Sequence, residues 1–92
     1  MLGLGGKYAE QLKDVSFRVL PITKKDFLSQ LKELKNQAII TKINENKLWL
    51  FISKLLKFSL KHKDIVFIDL NPVIIEQDTK KPIIVDARIY KK

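Results

Sequence analysis

Four polar side chains interrupt two strongly apolar segments near the end of the sequence. Asp69 and Asn71 lie in the segment 65–75, and Asp86 and Arg88 lie in the apolar segment that follows it. Residues two apart on a β-strand share a face, so each strand would carry its two polar groups on one side. Mg²⁺ binds oxygen ligands and commonly takes only one or two from the protein, while water and substrate phosphates supply the others. An asparagine and an aspartate on adjacent strands fit that chemistry.

The two segments are joined by the polar, turn-like stretch 76–81, a pattern typical of a β-hairpin. If the first and last residues of that stretch pair, the register places Asn71 opposite Asp86 and Asp69 opposite Arg88, with Cβ atoms about 5 Å apart. Spacing alone leaves two interpretations open. One is a metal pair beside an ion pair. The other is a purely structural surface, with an ion pair beside a hydrogen-bonded carboxylate–carboxamide pair.

Pro72 constrains the first strand of this hairpin because proline has no N–H to donate to a strand ladder. It predicts an edge position or a β-bulge at Asn71. A bulge changes the direction in which a side chain points, so either arrangement would set Asn71 apart from an ordinary strand residue.

The elements that must position this hairpin begin with a strand. Apolar and polar residues alternate from 14 to 20, which predicts a half-buried strand. On that pattern Val15, Phe17 and Val19 face the core and Ser16 faces solvent.

Two helices follow the strand. Thr23 and Asp26 have the spacing of a capping box at the start of the first helix. The second helix is predicted over about 47–61, with Asn44 or Asn46 as its N-cap. The resulting order is β-α-α-β-β. It predicts an α/β (α+β) sandwich of residues 1–92, a single domain with its helices on one face of a sheet and a C-terminal hairpin.

Composition excludes several classes of function. The chain has no cysteine, so disulfides and thiolate metal sites are excluded, and it has a single histidine. Its longest apolar run, from Leu48 to Ile52, is far shorter than the roughly 20 residues that span a membrane. The N-terminus lacks the pattern of a secretory signal, and the sequence therefore predicts a cytoplasmic protein.

The formal net charge of +8 comes from lysines that are spread over the whole chain, with arginine only at positions 18 and 88. Nucleic-acid-binding proteins usually concentrate positive charge on one face and use arginine for bidentate contacts. The dispersal favours a solvated surface. A small basic module that binds nucleic acid, or another protein, is the alternative function.

The segments 66–75 and 84–89 resemble the end of the ATP-grasp domain in ADP-forming (NDP-forming) acyl-CoA synthetases. This group includes acetate–CoA ligase and is related to the succinyl-CoA synthetase β chain. The glycine-rich start at residues 3–6, Glu10 and the segment 12–18 are similar to the family pattern as well. The resemblance covers nearly the whole chain in order, and it implies an ATP-grasp C-terminal subdomain.

The resemblance also implies roles for individual residues. Asn71 and Asp86 match the pair that coordinates Mg²⁺ on the phosphates of ATP or ADP. Arg88, Arg18 and Glu10 match characteristic positions, for which phosphate contact and structural pairing within the site both stay open. No residue of this chain matches a catalytic residue of the family.

In the family pattern Met1 falls in the middle of the ATP-grasp domain. The resemblance therefore implies either a small subunit completed by a larger partner or an inactive remnant. The activity implied for the complete site is acid–thiol ligation, and the isolated chain is expected to be inactive. Self-association through the second helix, which has a broad apolar face, is a further prediction.

Overall fold

The computed structural model describes residues 1–5 and 14–92. In chain order the elements are β1 (Leu2–Gly3), β2 (Val15–Ser16), α1 (Lys24–Lys32), α2 (Gln37–Ile40), α3 (Glu45–Lys61), β3 (Ile65–Leu70), β4 (Val73–Ile75), β5 (Pro82–Ile84) and β6 (Ala87–Lys91). Helices combined with antiparallel strands confirm the α/β class. The chain divides into two compact units, residues 1–43 and 44–92. Whether they behave as one domain stays a prediction.

The first unit begins with a short antiparallel pair. Leu2 lies opposite Ser16 and Gly3 lies opposite Val15. The pairing extends by one bond, since the Leu4 N–H donates to the carbonyl of Asp14 over 3.0 Å. This part of the glycine-rich start is therefore paired as a strand.

In the predicted strand 14–20, which contains β2, the face that is buried is the opposite of the predicted one. Ser16 is 5% exposed, whereas Phe17 is 65% and Val19 is 91% exposed. The cause is a pair of reciprocal hydrogen bonds to α1. Ser16 Oγ donates to the Gln30 carbonyl, and Gln30 Nε2 donates to the Ser16 carbonyl, each over 3.1 Å. The ladder with β1 covers only Val15 and Ser16, so the regular strand is shorter than predicted.

The core of the first unit has a polar margin. Among the described residues of this unit, the buried apolar side chains come from α1 and the residues after it: Phe27, Leu31, Leu34 and Ile40. Asp14 is also buried, and its carboxylate accepts the backbone N–H groups of Lys35 and Asn36 over 2.6 and 2.9 Å. Charge-assisted bonds of this kind satisfy a buried carboxylate and fix the turn after α1 against the strand.

Side chains cap both long helices as predicted. Thr23 Oγ1 accepts the Asp26 N–H over 3.2 Å, and the Asp26 carboxylate accepts the Thr23 N–H over 2.8 Å, which completes the capping box of α1. At α3 the cap is Asn44, whose Oδ1 accepts the Lys47 N–H over 3.0 Å. No helix in the described residues is long and apolar enough to cross a membrane.

The second unit holds α3 and the C-terminal strands, and none of its residues is buried. Large apolar side chains of α3 face outward, with Leu50 54% and Leu60 71% exposed. The hairpin also exposes large apolar side chains. Phe67 and Tyr90 pack edge to face with ring centroids 5.6 Å apart, yet each is about half exposed. The apolar surface of this unit is therefore only partly covered by its own residues.

We expect Gly3→Ala to destabilise the chain and Gly5→Ala to leave it unchanged. A Cβ at Gly3 would lie 2.8 Å from Val15 Cγ1, whereas nothing lies within 4 Å of the same atom at Gly5. Overpacking of this kind costs about 1–3 kcal/mol. Urea unfolding followed by circular dichroism measures the difference, and equal midpoints for the two variants would show that β1 is not held against β2.

We expect the stabilisation that Asp26 gives to be present near neutral pH and to be lost in acid. The Thr23 N–H that donates to its carboxylate lowers the pKa of Asp26, with further help from the Thr23 hydroxyl and the charges of Arg18 and Lys25. A carboxyl group with a lowered folded-state pKa stabilises above its unfolded value of about 4 and stops doing so as pH falls through the folded value.

The measurement is the melting temperature of the unaltered chain and of Asp26→Asn from about pH 6 to about pH 3. The difference between the two should shrink towards acid, and Thr23→Ser, which keeps the cap hydroxyl, should follow the unaltered chain. A difference independent of pH would contradict the capping role.

Candidate functional site

The C-terminal strands form a hairpin in the predicted register. In the β3–β6 ladder Asp69 lies opposite Arg88. The same register continues in the β4–β5 ladder, where Ile75 lies opposite Pro82. The loop closes with the N–H of Glu76 donating to the carbonyl of Lys81 over 2.9 Å, as the sequence pattern requires.

The ladder is interrupted at the point where the polar residues meet. The Asn71 N–H donates to the Asp86 carbonyl over 3.0 Å, and the Val85 N–H donates to the Pro72 carbonyl over 3.1 Å. Asn71 and Asp86 therefore lie opposite each other, which confirms the predicted pairing. The register shift of this hairpin lies between Ile65 and Phe67, so a bulge at Asn71 is not formed. Both ladders have only two strands in the described residues, so the other predicted alternative, an edge position, is the one found. Pro72 instead separates β3 from β4.

The side chains of Asn71 and Asp86 are both exposed, and in the described part of the chain neither makes a hydrogen bond or an ion pair. Their contact is between backbones only. The predicted ion pair between Asp69 and Arg88 is also not formed among the described residues, although the two lie directly across from each other. The structural alternative of two bonded surface pairs therefore lacks its side-chain bonds.

The side-chain oxygens of Asn71 and Asp86 suit a cation that takes its other ligands from water and from phosphate groups. The described residues contain no cluster of three or more histidine, cysteine, aspartate or glutamate side chains. An all-protein cage is therefore not available in them. One carboxylate and one carboxamide oxygen on opposite arms of the hairpin match a Mg²⁺ ion that keeps water and phosphate oxygens in its remaining positions.

The side chain of Arg18 is bonded to residues of the first unit. Its Nη1 donates to Glu33 Oε2 over 2.5 Å and to the Phe17 carbonyl over 2.7 Å, and its Nη2 donates to Ser29 Oγ over 3.2 Å. These bonds attach the segment after β2 to α1. Of the two roles that the resemblance leaves open, this geometry supplies structural pairing. Glu10 lies outside the described residues.

One contact that supports the hairpin was not predicted. The ammonium group of Lys47, in the first turn of α3, donates to the carbonyl of Thr79 in the hairpin loop. The Thr79 hydroxyl in turn donates to Glu76 Oε1 over 2.6 Å. Neither periodicity nor a motif signals such a bond, because its partners are 32 residues apart in the sequence.

A family model of the ATP-grasp domain matches residues 1–90. The chain therefore belongs to the ATP-grasp domain family. Among curated proteins it is similar to the β subunit of acetate–CoA ligase (ADP-forming) I from Pyrococcus furiosus, with 41% identity over 97% of this chain and 40% of that subunit. It is also similar to the 4-hydroxybutyrate–CoA ligase (ADP-forming) of Nitrosopumilus maritimus, with 34% identity over 97% of this chain and 14% of that protein.

Among solved structures, the crystal structure of PH1788 from Pyrococcus horikoshii Ot3 matches 98% of this chain and 40% of its own chain. The TM-score is 0.83 and the sequence identity is 36%. The match confirms the ATP-grasp-like fold of the fragment. The chain thus spans less than half the length of each of these relatives.

We expect Arg18→Ala to lower the free energy of unfolding by about 1 kcal/mol, because it removes hydrogen bonds that are partly screened by solvent. Glu33→Gln should cost less, since its amide oxygen still accepts. Arg88→Ala is the matched control, because this exposed arginine makes no ion pair among the described residues. Urea unfolding measures the free energy of unfolding of each variant. Equal decreases for Arg18→Ala and Arg88→Ala would contradict the structural role of Arg18.

Proposed function

We propose that this chain supplies the Mg²⁺–nucleotide-binding part of an ATP-grasp site in an ADP-forming acyl-CoA ligase. The reaction of the complete site would be acyl-CoA + ADP + phosphate = carboxylate + CoA + ATP. The observation that carries the proposal is the cross-strand pair of Asn71 and Asp86, whose backbones are bonded over 3.0 Å while both side chains stay exposed. The similarity to ADP-forming ligases supplies the reaction class.

In this proposal Asn71 and Asp86 are the protein's oxygen ligands for the metal. A Mg²⁺ ion held by these two residues would supply positive charge against the charge that develops in phosphoryl transfer. Arg88 lies in β6, two residues after Asp86, where a guanidinium could contact a phosphate group held by that metal. Arg18 has a structural role, through its bonds to α1. Glu10 is kept as a candidate site residue on the resemblance alone.

A larger partner would supply the rest of the site. Two observations support this part of the proposal: the chain spans 40% of the Pyrococcus furiosus subunit, and no residue of the unit 44–92 is buried. Phosphoryl transfer depends on groups that hold the nucleotide from several sides, so the chain alone would bind and not turn over. The acyl group is left open, because the relatives differ in it. The cytoplasm is the compartment we infer for this chemistry.

The test is a titration of the full chain with ADP and Mn²⁺, a paramagnetic ion that takes the same oxygen ligands as Mg²⁺. Amide signals near Asn71 and Asp86 should broaden, and excess Mg²⁺ should restore them. Asp86→Asn should weaken the effect about tenfold or more, since a ligating charge is lost. The control is Asp78→Asn, which removes an equal charge from the exposed hairpin loop.

Broadening that is absent at millimolar nucleotide, or that Asp78→Asn reduces as much as Asp86→Asn does, would exclude the metal pair. Broadening by Mn²⁺ that does not depend on ADP would limit the site to a cation site without the nucleotide.

A further inference from the structure

Lys47 lies at a position where a lysine is unfavourable for the helix that contains it. It is in the first turn of α3, and a cation there opposes the helix dipole, whereas Glu45 in the same turn has the favourable sign. A residue that breaks a local rule is expected to offset the cost through another contact. Lys47 has such a contact, because its ammonium group donates to the carbonyl of Thr79 in the hairpin loop.

The loop that receives this bond has a network of its own hydrogen bonds. The Thr79 hydroxyl donates to Glu76 Oε1 over 2.6 Å and accepts the N–H of Lys81 over 3.3 Å. The Glu76 N–H donates to the Lys81 carbonyl, and the Lys80 N–H donates to the Glu76 carbonyl, each over 2.9 Å. A bond to the Thr79 carbonyl therefore holds the whole loop, together with the β4–β5 ladder that ends in it.

The helix α3 is attached to both ladders of the hairpin. Its C-terminal end leads into β3 through residues 62–64, and the Lys92 N–H donates to the Asp64 carbonyl over 2.9 Å where the β3–β6 ladder begins. Its N-terminal end holds the hairpin loop through Lys47, and the helix also contacts β5. The helix thus connects the two ladders on either side of the interruption at which Asn71 and Asp86 lie.

We infer that Lys47 is a positioning residue for the candidate metal pair, because it fixes the β4–β5 ladder to α3 and so keeps Asn71 opposite Asp86. The inference rests on the proposed function and adds to it a residue that acts at a distance, through the hairpin loop. Without the bond to Thr79, the β4–β5 ladder can turn about the interruption. The apparent affinity for a ligand falls with the fraction of molecules that hold the binding-competent arrangement.

Lys54 provides a matched control for the charge of Lys47. It lies seven residues further along α3, about two turns on, and therefore on the same face. It is exposed and makes no hydrogen bond or ion pair in the part of the chain that the structure describes. Lys47→Met and Lys54→Met remove the same charge from the same helix, and methionine is a good helix former. A loss that follows charge alone would appear in both variants.

The first measurement is hydrogen exchange of the full chain without ligand. In Lys47→Met the amides of Asn71 and Glu76 should exchange about fivefold faster, because a charged hydrogen bond no longer holds the loop. The amide of Lys92, at the far end of the β3–β6 ladder, should be unchanged. Circular dichroism should show an equal or higher helix content in Lys47→Met, because an unfavourable charge has left the first turn of α3.

The second measurement is the titration with ADP and Mn²⁺. About threefold more nucleotide should be needed to broaden the amide signals of Asn71 and Asp86 in Lys47→Met, because fewer molecules hold the two residues opposite each other. Lys47→Arg, which keeps the charge and the N–H donors, should restore both the exchange rates and the affinity. Lys54→Met should change neither.

Four results would overturn the inference: unchanged exchange at Asn71 in Lys47→Met, equal effects of Lys47→Met and Lys54→Met, no restoration by Lys47→Arg, or a loss of helix content in Lys47→Met. The last result would mean that the lysine stabilises the helix itself. Broadening that is absent from the unaltered chain would instead remove the proposed function. The exchange measurement needs no ligand, so it would still decide whether Lys47 keeps the two ladders aligned.

Discussion

The register of the C-terminal hairpin determines which functional groups meet. One set of pairings extends from Asp69 and Arg88, through the interrupted centre, to the bond between Glu76 and Lys81 at the loop. A shift of one residue in such a ladder moves every side chain to the opposite face. Asn71 would then no longer lie across from Asp86, and the two oxygen ligands would be separated. The candidate site therefore depends on a short loop that allows one pairing and excludes its neighbours.

Burial is distributed unevenly, and this bears on function. The first unit has a compact apolar core around Phe27 and Leu34, closed at its margin by the bonds of Asp14. In the second unit the hydrophobic effect is largely unused, because large side chains on α3 and the hairpin keep much of their surface in water. Asn71 and Asp86, the two residues that would hold the metal, are thus in the unit that gains most from being covered.

The sequence predicted what depends on local rules. The capping box of Thr23 and Asp26, the Asn44 cap and the hairpin register follow from spacing within a few residues or from one closing turn. Its prediction of the buried face of the first strand was wrong, since Ser16 is buried and Phe17 and Val19 are exposed. Alternation defines two faces equally well, and the choice was made by the bonds between Ser16 and Gln30, which lie 14 residues apart. The sequence also did not predict that Asp69 and Arg88 form no ion pair with each other in the described residues. The register places the two residues opposite each other, but it does not by itself bond their side chains.

The interruption of the hairpin at Asn71 and Pro72 has a consequence for motion. It divides the hairpin into a base, β3 with β6, and a tip, β4 with β5, which are joined by the bonds from Asn71 N–H to the Asp86 carbonyl and from Val85 N–H to the Pro72 carbonyl. Segments joined by few hydrogen bonds open as separate cooperative units. The tip can therefore fray and re-form while the base stays paired. Asn71 and Asp86 lie at the junction of the base and the tip. A cation held by both residues would link these two segments and slow the hydrogen exchange of the amides in the tip.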